Sequence, residues 1–363
     1  MDAAGLVTTL ALVGVGAGSV GLVATLLSTA FQRPSVEIDD VGTWHPLADR
    51  RIDVLTTVRV TGVSPLLAAV SDRLRVEYYI ELNGVRLATG QREGLELEAG
   101  DQLLQLRSSI EHENVPALWA TFVESDESIT VTTGGELTFG PWGVLTVAMP
   151  SVEEHVLDGE TPVVDALSSA ADGLADDYSL DTGSIVSQLT DGLLRLGSAS
   201  PAVGYEIDRG WATWGEVSAE ETTVLFHFEV TNRGDVPMPS VPEALDVTLE
   251  MNDIALFTAS TTGATLLDAT SEPPLAPGES RRVEYPVRMD NGKVDAWFRS
   301  HVRNGERTDL TASVRLVYRP MLFDAAFTIP PDSVPTVTCD VQTGILLDQE
   351  TKTTCSGPVG GPR

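Results

Sequence analysis

Histidine is the residue most often used for acid–base or metal chemistry near neutral pH, and this sequence has five scattered along it. No two of them have metal-ligand spacing, and neither a nucleophile elbow nor a phosphate-binding loop is present. The segment Asp177–Gly183 has the acidic spacing of a calcium loop, but its glycine comes one place late and Gln188 replaces the bidentate glutamate. We therefore predict no catalytic residue, no metal site, no cofactor and no enzymatic activity. The five are His45, His112, His155, His227 and His301.

The only cysteines, Cys339 and Cys355, lie near the C-terminus. They are consistent with a disulfide that closes a hairpin in an oxidising compartment, and equally with two free thiols in a loose tail. Spacing alone does not decide between these alternatives.

An uncharged segment runs from Ala3 to Gln32 and consists mostly of Leu, Val, Ala and Gly. Because about 20 apolar residues span a bilayer, we predict a transmembrane helix over 1–33. A cleaved signal peptide is the alternative, with the small residues 28–30 as its processing site. Gly16–Gly21 matches a dinucleotide-binding fingerprint only formally, since it lies within the uncharged run. Arg33 follows the helix, so the positive-inside rule predicts a single-pass protein with cytoplasmic domains.

Acidic residues outnumber basic ones by 30, and only Lys293 and Lys352 are lysines. Such a surface repels itself unless salt screens it, which is typical of proteins adapted to concentrated salt. It also disfavours a nucleic-acid partner, because a polyanion does not release the counterions of phosphate.

One layout occurs twice in the chain. A Gly-acid corner at Gly100 or Gly278 is followed by an extended segment, and a tryptophan follows each glycine by 19 residues, at Trp119 and Trp297. Around each tryptophan, apolar residues at three- to four-residue spacing predict a short helix, with Trp297 as a core anchor. A repeated unit of this kind indicates two related domains.

The rest of each repeat alternates apolar and polar residues, which predicts half-buried β-strands. Asn83-Gly84 predicts a tight hairpin turn. Between the repeats, two amphipathic helices are expected within 151–200. The predicted organisation is a transmembrane helix (1–33), a first β-sandwich (34–150), a helical linker (151–200), a second sandwich (201–330) and a C-terminal tail (331–363).

Opposing sheets either fill the space between them with side chains or leave room for an apolar guest. If a ligand is held, we place it in the second domain, between the apolar faces of its strands. The predicted ligand-binding residues are Phe226, Phe228, Leu249, Met251 and Tyr285.

Several short motifs in the second repeat resemble one known family in order and spacing. The chain resembles the late embryogenesis abundant type 2 domain, also called the water stress and hypersensitive response (WHy) domain, in the tandem, membrane-anchored form of halophilic archaea. The resemblance covers about two thirds of the chain and is weaker in the first repeat. The motifs are Trp214-Gly215, Val230-Thr231-Asn232, Met251-Asn252-Asp253, Leu275–Glu279, Met289–Lys293 and Asn304–Thr308.

The resemblance implies an all-β protein with two antiparallel, immunoglobulin- or fibronectin-like sandwiches, each with a short helix. It implies a non-enzymatic role in desiccation or osmotic stress and an apolar groove that holds lipid. The alternative is a fully packed scaffold whose sheet edges bind a protein partner at the membrane.

Overall fold

The structure is a computed structural model that describes residues 34–46, 52–69, 74–139, 145–157, 159–180, 202–240, 242, 244–260, 273–318, 327–331 and 334–357. The protein is mainly β, with antiparallel sheets. It divides into two compact units. Of the described residues, the first contains those up to Glu81, Arg86–Glu111 and Val131–Glu154; the second contains Leu82–Val85, His112–Thr130 and those from His155 onward.

The first unit is built on one seven-stranded sheet of order β1-β2-β5-β4-β3-β6-β7. Its core strands alternate buried and less buried residues, as β3 does, which confirms the period-two prediction. Asn83 and Gly84 both have positive φ, as the predicted tight turn between β3 and β4 requires. The elements are β1 (Ser35–Pro46), β2 (Ile52–Val63), α1 (Pro65–Ala69), β3 (Arg75–Leu82), β4 (Val85–Glu93), β5 (Gly100–Ile110), β6 (Ile129–Phe139) and β7 (Leu145–Leu157).

The second unit contains a four-stranded sheet, β13-β10-β9-β8, and a six-stranded sheet, β12-β11-β14-β16-β17 with β15 paired to β14. Tyr205 of the first sheet and Tyr318 of the second contact each other with ring centroids 4.4 Å apart, so the two sheets pack face to face. The elements are α2 (Val115–Glu124), α3 (Pro162–Asp172), β8 (Asp177–Leu180), β9 (Val203–Val217), β10 (Glu221–Asn232), β11 (Ala244–Met251), β12 (Ile254–Ser260), β13 (Ser280–Asp290), α4 (Val294–Arg303), β14 (Arg307–Tyr318), β15 (Phe327–Ile329), β16 (Thr336–Gln342) and β17 (Lys352–Ser356).

Both repeats use the same strand order. In the first repeat, neighbouring strands come in the order β1-β2-β5-β4-β3-β6-β7. The corresponding strands of the second repeat have the same order, as β9-β10-β13 in one sheet and β12-β11-β14-β16 in the other. In the first repeat, the pairs Ala88–Ile110 and Thr89–Ser109 join β4 to β5, whereas no pairing joins the described residues of the corresponding β12 and β13. This short pairing joins the strands of the first repeat into one sheet, whereas a β-sandwich with two sheets is predicted from the sequence.

The segment predicted as a linker, 151–200, is part of folded structure wherever it is described. Strand β7 continues through Pro150 to Leu157, helix α3 belongs to the second unit, and β8 pairs with β9. Helix α3 confirms the first of the two amphipathic helices, with its apolar face buried. The second predicted helix lies outside the described residues.

The predicted tail, 331–363, also differs from the structure in its described part. Strand β16 pairs with β14 through seven residues, and β17 pairs with β16. Val337, Cys339 and Val341 alternate toward the core, so these strands cover one side of the second unit. Cys339 and Cys355 are directly opposite each other in this pairing and form a disulfide.

Among the described residues, no helix combines the length and apolar composition that a membrane span requires. The predicted transmembrane segment, 1–33, lies outside them.

Candidate functional site

Two ten-residue helices, α2 of the first repeat and α4 of the second, lie in the second unit. Their predicted positions are confirmed, but their tryptophans are not equivalent. Val115, which begins α2, is the fifteenth residue after Gly100, whereas Val294 is the sixteenth after Gly278. Trp119 is therefore the fifth residue of its helix and Trp297 the fourth.

This one-residue difference turns the two side chains onto different parts of their helices. Trp119 is 1% exposed, whereas Trp297 is only partly buried, and the neighbouring Phe298 takes the buried position. The core anchor of α4 is thus Phe298, not the predicted Trp297.

Trp119 is the centre of an aromatic cluster. Its ring meets Trp297 edge-on at a centroid distance of 5.6 Å and Trp214 at 6.2 Å. Its indole N–H donates to the Thr222 hydroxyl, which donates in turn to the side-chain oxygen of Asn291. The indole therefore has both the packing and the hydrogen bond that a buried tryptophan requires.

A buried glutamate follows α2 in a left-handed backbone conformation. Glu127 accepts hydrogen bonds from the backbone N–H groups of Val163 and Val164, at 2.7 and 2.8 Å, and from the indole N–H of Trp214. These backbone groups belong to the first turn of α3, where N–H groups have no partner within the helix. Glu127 thus caps a helix 35 residues farther along the chain, whose own N-cap residue Thr161 makes no side-chain cap.

Stability is expected to depend on pH through Glu127. Burial raises the pKa of this carboxyl group from 4.5 to about 7, against the lowering effect of its N–H donors. A carboxyl group whose pKa is higher in the folded than in the unfolded protein stabilises the fold fully at pH values below its unfolded-state pKa. This contribution is lost as the pH rises through the folded-state pKa. We expect the wild type to lose roughly 3 kcal/mol relative to Glu127→Gln between pH 4 and 8.

Urea unfolding across this pH range measures that difference. Glu124→Gln, at an exposed position of α2, is the control and should follow the wild type. If the free energy of unfolding changes with pH equally in Glu127→Gln and the wild type, the raised pKa of Glu127 is contradicted.

The second repeat contains the same device after α4. Glu306 is fully buried with positive φ, and its two carboxyl oxygens accept from the backbone N–H groups of Ile345, Leu346 and Leu347 and from the Thr343 hydroxyl. It therefore holds the turn that connects β16 to β17. This role of Glu306 could not be predicted from the sequence, because the turn residues lie in the predicted C-terminal tail and the glutamate carries no signal beyond its charge.

An asparagine also plays the same part in both repeats. The Asn83 side chain accepts from the Thr130 N–H and donates to the Ser128 carbonyl, and the Asn252 side chain accepts from the Asp309 N–H and donates to a carbonyl in β14. Each asparagine follows a core strand and fixes the strand that comes after the tryptophan helix. These contacts explain why both repeats have Asn at this place.

An apolar cavity of ≈ 60 Å³ lies in the second unit beside α2 and α4. Its wall also includes residues of β11, β14, β16 and the start of α3. Only three of its side chains are polar: His301, Thr308 and Thr343. The apolar wall includes Leu118, Trp119, Phe122, Met251, Trp297 and Phe298.

The predicted ligand-binding residues are only partly brought to this site. Met251 lines the cavity. Phe226, Phe228, Leu249 and Tyr285 are fully buried and do not line it. They pack in the second unit's core, and Phe228 contacts Tyr285 at a ring distance of 5.9 Å. The apolar strand faces were identified, but the space beside them is lined mainly by helix residues.

A second hollow, a polar groove of ≈ 700 Å³, lies in the first unit. Two of its charged side chains contact neighbouring groups: Arg86 pairs with Glu81 and lies 4.4 Å over the Tyr79 ring, and Glu77 pairs with Arg75. We assign no ligand to it. Across the part of the chain that is described, no three His, Cys, Asp or Glu side chains are grouped to hold a metal.

No protein-family model matches the sequence, and no curated protein does. A protein from Archaeoglobus fulgidus of known structure matches with a TM-score of 0.27 and 18% identity, over 42% of this chain and 94% of its own. The BSP domain of a biofilm-associated protein matches with a TM-score of 0.18 and 10% identity, over 92% of this chain and 67% of its own. A β-glucuronidase 2 mutant from Bacteroides uniformis matches with a TM-score of 0.17 and 10% identity; the chain spans 28% of its length. None of these likenesses carries a functional argument.

Proposed function

We propose that this protein is a non-enzymatic, membrane-anchored relative of the late embryogenesis abundant type 2 (WHy) proteins that acts in osmotic or desiccation stress. Support comes from the shared strand order of the two repeats and from the roles of motif residues. Asn252 and Glu306 both lie within the motifs of the resemblance: Asn252, which follows β11, binds β14, and Glu306, which precedes β14, holds the β16–β17 turn. We interpret each repeat as a variant of one immunoglobulin- or fibronectin-like sandwich, joined by β4–β5 pairing in the first.

We further propose that the second unit binds the hydrocarbon chain of a lipid, with the apolar cavity beside α2 and α4 as its site. The cavity is the observation that carries this proposal. Its volume of ≈ 60 Å³ is smaller than the roughly 150 Å³ that holds benzene in an engineered apolar cavity. It therefore suits the end of a chain, with the rest lying outside.

The test uses the full chain, purified in high salt and a fluorinated surfactant that does not compete for hydrocarbon. Mass spectrometry of the extracted protein should find bound lipid, and a fluorescent acyl probe should be displaced by a fatty acid. Val341→Phe, which adds volume at the cavity wall, should weaken probe binding, whereas Val334→Phe at an exposed position should not. Lipid-free protein that does not bind the probe would exclude the proposal.

The second candidate is a packed scaffold for a protein partner. It is favoured by the complete burial of Phe226, Phe228, Leu249 and Tyr285, none of which lines the cavity. Such a scaffold would bind through its exposed sheet edges. Crosslinking and pulldown in high salt distinguish the two, since one stoichiometric partner favours the scaffold.

The disulfide bears on which side of the membrane the domains occupy. Arg33 predicts a cytoplasmic location, but disulfides persist mainly in oxidising compartments. We therefore propose that the domains face the oxidising side, against the cytoplasmic expectation.

Cys339 and Cys355 are expected to be fully oxidised in cells. Thiol-specific mass tags added to cells lysed in denaturant should label neither cysteine until a reductant is added. Reduction should also lower the free energy of unfolding by about 2–3 kcal/mol, because the bond closes a loop of 16 residues. Labelling without reductant would restore the cytoplasmic orientation.

A further inference from the structure

The polar side chains of the apolar cavity all belong to one hydrogen-bonded chain. The Trp297 indole N–H donates to the Thr308 hydroxyl, and His301 contacts that hydroxyl through Nδ1 at 2.8 Å. On its other side, His301 Nε2 lies 2.9 Å from the Thr343 hydroxyl. The Thr343 hydroxyl donates to Glu306. The chain thus runs from an indole to a carboxyl group, with the imidazole in the middle.

The proton positions in this chain follow from its two ends. The Thr343 hydroxyl hydrogen is used toward Glu306, so His301 must donate from Nε2. A neutral imidazole then accepts at Nδ1, and the Thr308 hydroxyl donates to it while accepting from Trp297. Burial lowers the pKa of His301 to about 4, which agrees with a neutral ring.

Every donor on the polar part of the cavity wall is therefore used within the protein. A carboxylate, phosphate or carbonyl group entering the cavity would lose its hydration and find no N–H or O–H to replace it. Burial of such a group without a partner is strongly unfavourable. A methyl or methylene group has no such requirement and gains from contact with the apolar wall.

We infer that this cavity selects the unsubstituted methyl end of a hydrocarbon chain and excludes polar chain ends and head groups. The inference rests on the proposed lipid-binding function and adds to it the class and direction of the ligand. The head group must remain outside the cavity, so the site recognises chains independently of their head groups.

A matched pair of ligands tests this selection. Tetradecanoate has one carboxylate and one methyl end, whereas tetradecanedioate has the same length and a carboxylate at both ends. Binding of each to the full chain is measured by displacement of the acyl probe, at a pH where all carboxyl groups are ionised. We expect tetradecanedioate to bind at least about tenfold more weakly, because one carboxylate must enter the cavity unpaired.

Thr343→Val tests the origin of the selection. It removes the acceptor of the His301 Nε2–H and leaves that donor at the cavity wall. The ratio of the affinities for tetradecanoate and tetradecanedioate should therefore fall toward one. If this variant does not fold, Thr308→Val frees the Trp297 indole N–H in the same way. Failure of both ligands to bind would remove the proposed function itself. Equal binding of the two by the wild type, or an unchanged preference in a folded variant, would overturn the inference while leaving lipid binding intact.

Discussion

Replacing Glu306 with glutamine is expected to lower the free energy of unfolding of the second unit by about 3–4 kcal/mol, the cost of leaving buried donors without an acceptor. Glu306 is fully buried, and its two oxygens accept from three backbone N–H groups and one hydroxyl. Glutamine has the same shape but one oxygen, so its NH₂ group would face two of these donors. Chemical unfolding followed by near-ultraviolet circular dichroism measures the loss.

Glu350→Gln is the matched control for this prediction. Glu350 lies in the same β16–β17 connection but is exposed, so the change should cost less than about 0.5 kcal/mol. If Glu306→Gln also lowers the free energy of unfolding by less than about 0.5 kcal/mol, the turn does not depend on the buried carboxyl group.

Trp119→Ala is expected to lower the free energy of unfolding by about 3–5 kcal/mol, as large aromatic truncations in a core do. The change removes the ring that meets both Trp214 and Trp297, and it leaves Thr222 without its indole donor. Because Trp119 comes from the first repeat but lies in the second unit, the loss of stability should be seen in the unfolding transition of the second repeat.

Trp211→Ala provides the comparison. Trp211 is only partly buried on β9, where it stacks on His227 and lies under two arginines, so its removal should cost less than about 2 kcal/mol. Similar losses for the two tryptophans would contradict the central place of Trp119.

The strands and the two short helices could be predicted because their periodicity is local. Alternation in β3, β10 and β13 places one set of residues in a core, and burial follows it. The difference between the two tryptophans could not be predicted, because counting from the glycine corners misses the one extra residue before α4. A single residue turns a helix by about 100°, which changes which side chain enters the core.

The cavity was missed for a different reason. Its wall combines residues from the first repeat, α3, the second repeat and the predicted tail, so no single motif contains it. Met251 was predicted because it ends an alternating strand. Leu118, Phe122 and Phe298 showed helical spacing, which is equally typical of a filled core. The buried glutamates Glu127 and Glu306 were equally hidden, since any one of the 53 acidic residues in the sequence is expected at the surface.

Lipid binding by the second unit is tested most directly by mapping where each end of a bound hydrocarbon chain lies. Two fatty acids of equal length, one with a photoreactive diazirine at the terminal carbon and one with it beside the carboxyl group, are crosslinked to the full protein. Peptide mass spectrometry then locates the adducts. The expected result is that the terminal diazirine labels α2 and α4, including Trp119 and Phe298, and that the carboxyl-proximal one does not. Equal labelling of these helices by both probes, or adducts only elsewhere, would contradict it.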